Sequence, residues 1–474
     1  MEIIAVRAFE LVLIIATIAA TLRFRYALIQ KMSRHVLIAC LLAVVAAVLQ
    51  GVVELPRWQL LPCYLAVLLL IATAISHTSK LKSDEQTLRT VRQLLPFNLI
   101  LCVATGLLVF LAPVAELPRP TGPYSVATVS YDLTDTKRNE TFCKDANAKR
   151  RLAVQIWYPA QAPRGSCASF MSYCADPGPF LKAPIWATLA SHLYLVPTSS
   201  WIEAPISMNQ ARFPVLIFSH GILGGRIQNT SQIQELASHG YVVVGIDHTY
   251  DASFTIFSPT ESIPSGLLAN SLGPDGNTAV KIRDTGIYVR VADVQFVLDE
   301  LAKLNAEDPK KILAGHLDLE KVGVFGHSFG GATTMGACAV DDRVRSGLAM
   351  DGCISDERIE LLSKPLFIMK MPREGEDPIG TKRLSKKCSG PFWDVNIAGT
   401  AHGNFTDLAF LTPAHRLSML TGTIEPMRAL IIMNAYTLAF FDYTLLGKAS
   451  ALLDGPSAEF NEVTFDSMPK KSSP

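Results

Sequence analysis

The chain divides into two regions by how its apolar residues are spaced. In the first quarter they run together. Residues 8–22 are apolar but for Glu10, and residues 36–53 but for Gln50. Residues 60–75 and 94–114 form two further runs. Each is about long enough to cross a hydrocarbon core of ~30 Å, which takes ~20 helical residues. The first falls short unless residues 3–6 join it, which draws Arg7 into the helix. A soluble bundle would alternate polar and apolar faces, and these runs do not. The pattern predicts a membrane domain of about four transmembrane helices over residues 1–115. A cleaved signal peptide would carry a basic leader and a cleavage site. Here Glu2 precedes a single Arg7, so the first helix is expected to be retained.

After Pro118-Arg119-Pro120-Thr121-Gly122-Pro123 the spacing changes. This Pro/Gly cluster marks a boundary. Short apolar runs at 152–157, 215–219, 241–246, 322–325, 347–350, 366–369 and 394–397 read as strands. Helical patterns lie between several of them, at 231–238 and most clearly at 284–304. In the latter Ile287, Val291, Val294, Val297, Leu298 and Leu301 recur at three- and four-residue steps. Buried strands alternating with helices predict an α/β domain over residues 116–474 with a mostly parallel sheet. Residues 429–446 are also apolar, but Asn434, Asp442 and scattered Tyr and Phe assign them to a core-facing helix of this domain.

Composition sharpens the division. The chain is 49% hydrophobic and only 18% charged, against about a quarter for a soluble chain. The deficit belongs to residues 1–115. With 43 basic and 42 acidic residues the net charge is +1, which argues against nucleic acid as a partner. The bases are uneven. Arg23, Arg25, Lys31 and Arg34 follow the first run. Lys80, Lys82, Arg89 and Arg92 lie between the third and fourth. Arg57 stands with Glu54 between the second and third. Basic loops stay cytoplasmic, so the N-terminus and everything after residue 115 are expected outside. Trp58 and Tyr64 then fall near the outer interface.

Gly326-His327-Ser328-Phe329-Gly330 fits G-x-S-x-G, between a strand and a helix of small residues. That context is a nucleophile elbow, where a sharp turn lifts a serine hydroxyl above the sheet. Serine needs a base, and the chain order in this fold is Ser, acid, His. Asp351 stands at the end of the next strand. Its rivals are Asp356, farther into the loop, and Asp394, read as preceding a strand. His402, in a loop after the last strand, is favoured as base over His415. Oxyanion donors are expected from the N–H of Phe329 and, in the loop Ser219-His220-Gly221-Ile222, from that of Ile222. His220 is read as packing beneath that loop. Asp247 and His248 end a strand on the same face and could line the pocket, or be merely structural. No Cys/His spacing suits zinc, and no glycine-rich loop cradles phosphate, so no metal or cofactor is expected.

These residues resemble the platelet-activating factor acetylhydrolases of the serine-dependent, group VII phospholipase A2 type. The likeness runs through Thr121-Gly122-Pro123-Tyr124, Ile156-Trp157-Tyr158-Pro159 and Phe213-Pro214-Val215-Leu216-Ile217-Phe218-Ser219-His220-Gly221. It continues in Ala237-Ser238-His239-Gly240-Tyr241, Gly326-His327-Ser328-Phe329-Gly330-Gly331-Ala332-Thr333, Gly347-Leu348-Ala349-Met350-Asp351 and His402-Gly403-Asn404-Phe405-Thr406-Asp407. It covers residues 120–446. It implies an α/β-hydrolase fold with nucleophile Ser328, acid Asp351, base His402 and oxyanion donors Phe329 and Ile222. It implies calcium-independent hydrolysis of short or oxidised acyl esters, with a phospholipid as substrate and the lipid bilayer as partner. The N-terminal helices are similar to membrane-anchored bacterial relatives. Residues 254–282 match nothing in the family and are a candidate lid. Two rival readings are a lactone, peptide or polyester hydrolase with the same triad, and a non-catalytic binding protein.

Nine cysteines complete the reading. Cys40, Cys63 and Cys102 fall in the membrane runs. Cys143, Cys167, Cys174, Cys338, Cys353 and Cys388 fall in the soluble domain, where an oxidising exterior permits one or two bridges. Cys338 is expected to be buried and free. Asn139-Glu140-Thr141 and Asn229-Thr230-Ser231 are glycosylation sequons, and Asn404-Phe405-Thr406 is read as part of the site.

Overall fold

A computed structural model describes residues 7–30, 33–79, 85–143, 145–162, 170–174, 190–258, 260–266, 276–352, 362–373, 381–416 and 419–469. They form two compact units. One is Met1–Glu116 with Phe410–Ala414, the other Leu117–Ala409 with His415–Pro474.

The first unit holds helices α1 (Ala8–Gln30), α2 (Ser33–Val53), α3 (Leu61–Ser79) and α4 (Glu85–Leu111). Leu13, Phe24, Ala43, Ala66, Leu70 and Cys102 meet inside. Leu41, Leu42, Val52, Leu68, Ile100 and Val103 face outward, so the unit is apolar on both sides. Glu10, the acid that interrupts the first run, is not alone. Arg57 donates to its carboxylate through Nε at 2.8 Å and Nη2 at 2.6 Å, and Arg7 adds a contact at 2.9 Å. Glu54 accepts from the N–H groups of Phe9 and Glu10 at 2.9 and 3.0 Å, capping the first turn of α1. A buried charge is tolerated when paired in this way. One expectation changes. Arg23 and Arg25 lie within α1, and Arg89 and Arg92 within α4, not in connecting loops. Lys31, Lys80 and Lys82 lie outside the described residues. By length and composition three described stretches can cross a membrane, Trp58–Ile75, Gln93–Leu111 and Pro426–Leu446, with Leu37–Val53 a shorter apolar one.

The second unit is built on an eleven-stranded sheet. Its centre is β5 (Phe213–Ser219), β6 (Val242–Asp247), β9 (Leu317–His327), β10 (Val344–Met350), β11 (Leu366–Lys370) and β12 (Phe392–Ile397), all parallel, in the order β6-β5-β9-β10-β11-β12. These are the runs expected from sequence, because strands covered on both faces read as continuous apolar stretches. β2 (Lys149–Ala160) was also expected and pairs antiparallel with β6. The sequence reading missed β1 (Ser125–Asn139), β3 (Phe170–Ser172), β4 (Pro197–Ile202), β13 (Val463–Ser467) and the separate hairpin β7 (Phe254–Ser258) with β8 (Glu261–Pro264). They lie at or near the two ends of the sheet or in the separate hairpin, and carry mixed polar positions. Of the candidate lid, β7–β8 and the start of the helix that begins at Gly276 are described; residues 259 and 267–275 lie outside the described set.

Two layers of helices cover the sheet. On one side α6 (Gly276–Ala306) and α7 (Phe329–Val340) bury Val294, Val297, Leu298, Leu301 and Met335 against Val215, Val322 and Val324. On the other side α9 (Pro426–Leu446) packs aromatics. Phe441 meets Phe325 at 6.2 Å, and Phe440 meets Phe367 at 5.6 Å and Trp393 at 5.8 Å. Alternation along β9 sends Val322 and Val324 to one layer and Phe325 to the other. Each such side chain contributes about 1.5–3 kcal/mol. α9 is apolar enough for a membrane but is a core helix here. Its N-terminus is capped by Glu425, its C-terminus by Gly447 at φ 70°, and its Asp442 accepts from Tyr241 at 2.6 Å. The unit also holds α5 (Thr230–Ser238) and α8 (Thr381–Lys387).

Among the described cysteines Cys143, Cys174, Cys338 and Cys388 are free thiols. This corrects the expectation of a second bridge. Cys167 and Cys353 lie outside the described residues. Cys338 is buried, and that burial pushes its thiol up to about 12.

Candidate active site

The chain lays β6 on one side of β5 and β9 on the other. The chain leaves β5 toward β6 and β9 toward β10, so the connections part at the carboxyl ends of β5 and β9, the switch point where parallel sheets bind ligands. Ser328 follows β9, and the loop from Ser219 to Ile222 follows β5.

Ser328 has φ 55° and ψ −118°, a conformation L-residues hold only under constraint. The constraint is close backbone approach. A Cβ on Gly330 would lie 1.9 Å from Ser219 O, and one on Gly352 1.9 Å from Ser328 O. Only glycine fits at either position. The Ser328 N–H donates to Met350 O at 2.8 Å, and Gly331 N–H donates to Ser328 O at 2.9 Å. Phe329 opens α7, so its N–H has no acceptor within the helix.

Asp351 stands just past β10 with φ 48° and is buried. His402 opens a short 3-10 turn, His402–Phe405, after β12. Its Nδ1 donates to Asp351 Oδ2 at 2.5 Å. Asn404 Oδ1 braces the turn by accepting from Ala401 N–H at 2.8 Å and Gly422 N–H at 2.7 Å. Arg373 was not foreseen. Its Nη1 lies 2.8 Å from Asp351 Oδ1, and its Nη2 donates to Oδ2 at 2.9 Å. Met371 N–H adds a bond to Oδ1 at 3.2 Å. Burial alone would raise the Asp351 carboxyl, but His402 and Arg373 outweigh it and hold it below the usual carboxylate range. Among the described residues no hydrogen bond joins Ser328 Oγ to His402. Such bonds tighten when substrate arrives.

The β5 loop lies beside the serine. A Cβ on Gly221 would stand 3.4 Å from Ser328 Cβ. The Gly221 carbonyl is held inward, 2.6 Å from His220 Nδ1 and 3.4 Å from Arg290 Nη2. Arg290 is fully buried, also donates to His220 O, and lies 4.6 Å over the Phe329 ring. In a trans peptide the N–H points opposite the carbonyl. The Ile222 N–H therefore points away from Arg290. Ile222 itself is 46% exposed.

The other sequence candidates separate from this cluster. Asp394 lies within β12 rather than before a strand, and pairs with Lys370 at 2.6 Å. His415 is buried against Thr421 at 2.6 Å. Asp356 lies outside the described residues. Asp247 and His248, expected on one face, take separate partners: Asp247 is the last residue of β6 and His248 lies just past it. Asp247 accepts from Arg226 N–H at 2.6 Å. His248 Nε2 lies 2.9 Å from Ser219 Oγ, and its Nδ1 lies 2.9 Å from Asp293 Oδ2. Arg150 donates to Asp293 at 3.0 and 2.6 Å. This second Ser–His–Asp chain is wholly buried, and burial pushes His248 down to about 4. His220 packs beneath the loop as expected, accepting from His248 N–H at 3.2 Å. Asn229 is also buried, its amide donating to Phe405 O at 2.8 Å, so the folded chain hides that sequon.

Comparison with known proteins points the same way. The family model described as platelet-activating factor acetylhydrolase, isoform II, matches residues 111–450. A platelet-activating factor acetylhydrolase of Canis lupus familiaris is 26% identical over 356 residues, 69% of this chain and 76% of the relative. A probable 1-alkyl-2-acetylglycerophosphocholine esterase of Arthroderma benhamiae is 25% identical over 397 residues, 74% of this chain and 93% of the relative. Among solved structures, a ferulic acid esterase from Streptomyces cinnamoneus superposes with a TM-score of 0.63 at 26% identity, over 74% of this chain and 99% of the other.

Proposed function

The chain belongs to the platelet-activating factor acetylhydrolase family and is a carboxylic ester hydrolase; from that premise we propose that Ser328, His402 and Asp351 form its catalytic triad. The observation that carries this reading is the Asp351–His402 bond at the same sheet edge as the strained Ser328 turn. His402 Nε2 takes the hydroxyl proton as Ser328 Oγ attacks the ester carbonyl. Asp351 keeps the Nδ1–H tautomer and stabilises the imidazolium. The N–H groups of Phe329 and Ile222 receive the oxyanion, each contributing about 3 kcal/mol. The alcohol leaves with the proton from His402, and water then cleaves the acyl-enzyme by the same steps.

The substrate proposed is a phospholipid with a short sn-2 acyl ester, the chemistry in the names of the curated relatives. A panel tests it on the purified protein: an acetyl phospholipid, its long-acyl counterpart, a hydroxycinnamoyl ester and a lactone. The expected order puts the acetyl phospholipid first by at least about tenfold in kcat/KM. A preference for the hydroxycinnamoyl ester or the lactone overturns the substrate and leaves the triad standing.

We also propose that residues 1–115 anchor residues 116–474 to a membrane, the hydrolase facing the extracytoplasmic side. The apolar outer surface of α1–α4 supports this, since exposed apolar area of that extent needs a lipid partner. An alkaline phosphatase fused after Pro474 is expected to be active. An inactive fusion, with a cytoplasmic reporter active at the same position, reverses the orientation.

A further inference from the structure

Three loops must keep register for the proposed chemistry: the β5 loop with Ile222, the elbow with Ser328 and the turn with His402. One hydrogen-bonded chain crosses all three. Gly221 N–H donates to Gln228 Oε1 at 2.9 Å. Gln228 Nε2 lies 2.8 Å from His327 Nδ1. His327 Nε2 lies 3.1 Å from the backbone carbonyl of His402.

The direction of this chain is forced by chemistry. A carbonyl only accepts, so His327 Nε2 carries the proton. Its Nδ1 then accepts, so the amide nitrogen of Gln228 faces it. That leaves Oε1 for the Gly221 N–H, as observed. Reversing the amide would set acceptor against acceptor at one end and donor against donor at the other. The chain holds when His327 is neutral. The ring is buried, and burial together with the nearby His402 pushes it down to about 3. The two rings are 4.4 Å apart. Gln228 is also tied to the base segment by its backbone, whose carbonyl accepts from Asp407 N–H at 3.1 Å. Its side chain hydrogen-bonds both the loop bearing Ile222 and the elbow histidine that touches the His402 turn.

We propose that Gln228 and His327 are positioning residues that hold the oxyanion loop and the base-bearing turn in register on either side of Ser328. The proposal rests on the triad reading above. Neither side chain is required to touch the substrate. Both act by fixing where the Ile222 N–H and the His402 imidazole stand when charge develops.

The test is a double-mutant cycle on the full chain with a soluble short-chain ester, using Gln228→Met, His327→Phe and the pair. Gln228→Met keeps length and volume and removes both bonds. Each single variant is expected to lower kcat by about 10- to 100-fold, the effect of an ~1 Å misplacement, with KM within about twofold of wild type. Because the two residues serve one chain, the pair should lose no more than either alone. Losses that multiply in the pair would mean independent packing roles and overturn the proposal. Wild-type kcat in Gln228→Met, with Ser328→Ala inactive, would also overturn it while sparing the triad. Turnover by Ser328→Ala would instead remove the triad reading itself. If His327→Phe does not fold, Gln228→Met alone decides by its kcat and KM.

Discussion

Replacing Ser328 by alanine is expected to remove ester turnover, with kcat falling about a million-fold, while the fold is kept. The strained backbone at this position is imposed by Gly330 and Gly352, which press against Ser219 O and Ser328 O, so alanine inherits the same turn. What disappears is the nucleophile placed at the crevice between β5 and β9. The companion measurement is covalent labelling by a fluorophosphonate, which wild type should accept once and Ser328→Ala not at all. Ser219 is the internal control. It has its own histidine and aspartate at hydrogen-bond distance but is fully buried, so it should stay unlabelled in both proteins. Turnover or labelling retained by Ser328→Ala would end the proposed mechanism.

Asp351→Asn should lower kcat about ten-thousand-fold with a much smaller change in KM. The surroundings of the carboxylate explain why. Oδ1 faces Arg373 Nη1 and accepts from Met371 N–H, both donors. An asparagine carbonyl would be captured there. Its amide nitrogen would then face His402 Nδ1, which could only accept. The ring proton would move to Nε2, the nitrogen that must receive the serine proton. The variant is thus folded and wrongly protonated. Asp394→Asn is the control: Asp394 pairs with Lys370 inside the sheet, so its loss should alter stability without a comparable fall in kcat. Activity of Asp351→Asn within tenfold of wild type would reassign the acid.

The parts of this protein legible in the sequence are those encoded locally. The parallel strands could be read because each is buried on both faces and so uniformly apolar. Ser328 and Asp351 could be placed because each stands just past such a strand. β1 escaped because only residues 126–129 form a buried run and the rest of its length is polar or partly exposed, which leaves no long apolar stretch. Helix ends were misjudged for α1 and α4, where charged residues extend helices that the hydropathy pattern cut short. Arg373, Gln228 and Arg290 left no local trace. Their partners are 22, 99 and 70 residues away, and no periodicity connects such pairs. Asp394 was misplaced because its carboxylate, paired with Lys370, sits inside a strand whose first two residues, Phe392 and Trp393, were not counted.

The buried Ser219–His248–Asp293 chain carries a lesson about what makes such a constellation reactive. The same three residue types gather at two places in this molecule, once around each serine. Hydrogen-bond geometry favours the silent copy, in which the serine and imidazole are already joined. What the silent copy lacks is an opening through which an ester or a water molecule can reach the hydroxyl. The identical trio of side chains thus serves as mortar beneath the β5 loop, and access by solvent rather than inventory of groups separates a scaffold from a reagent.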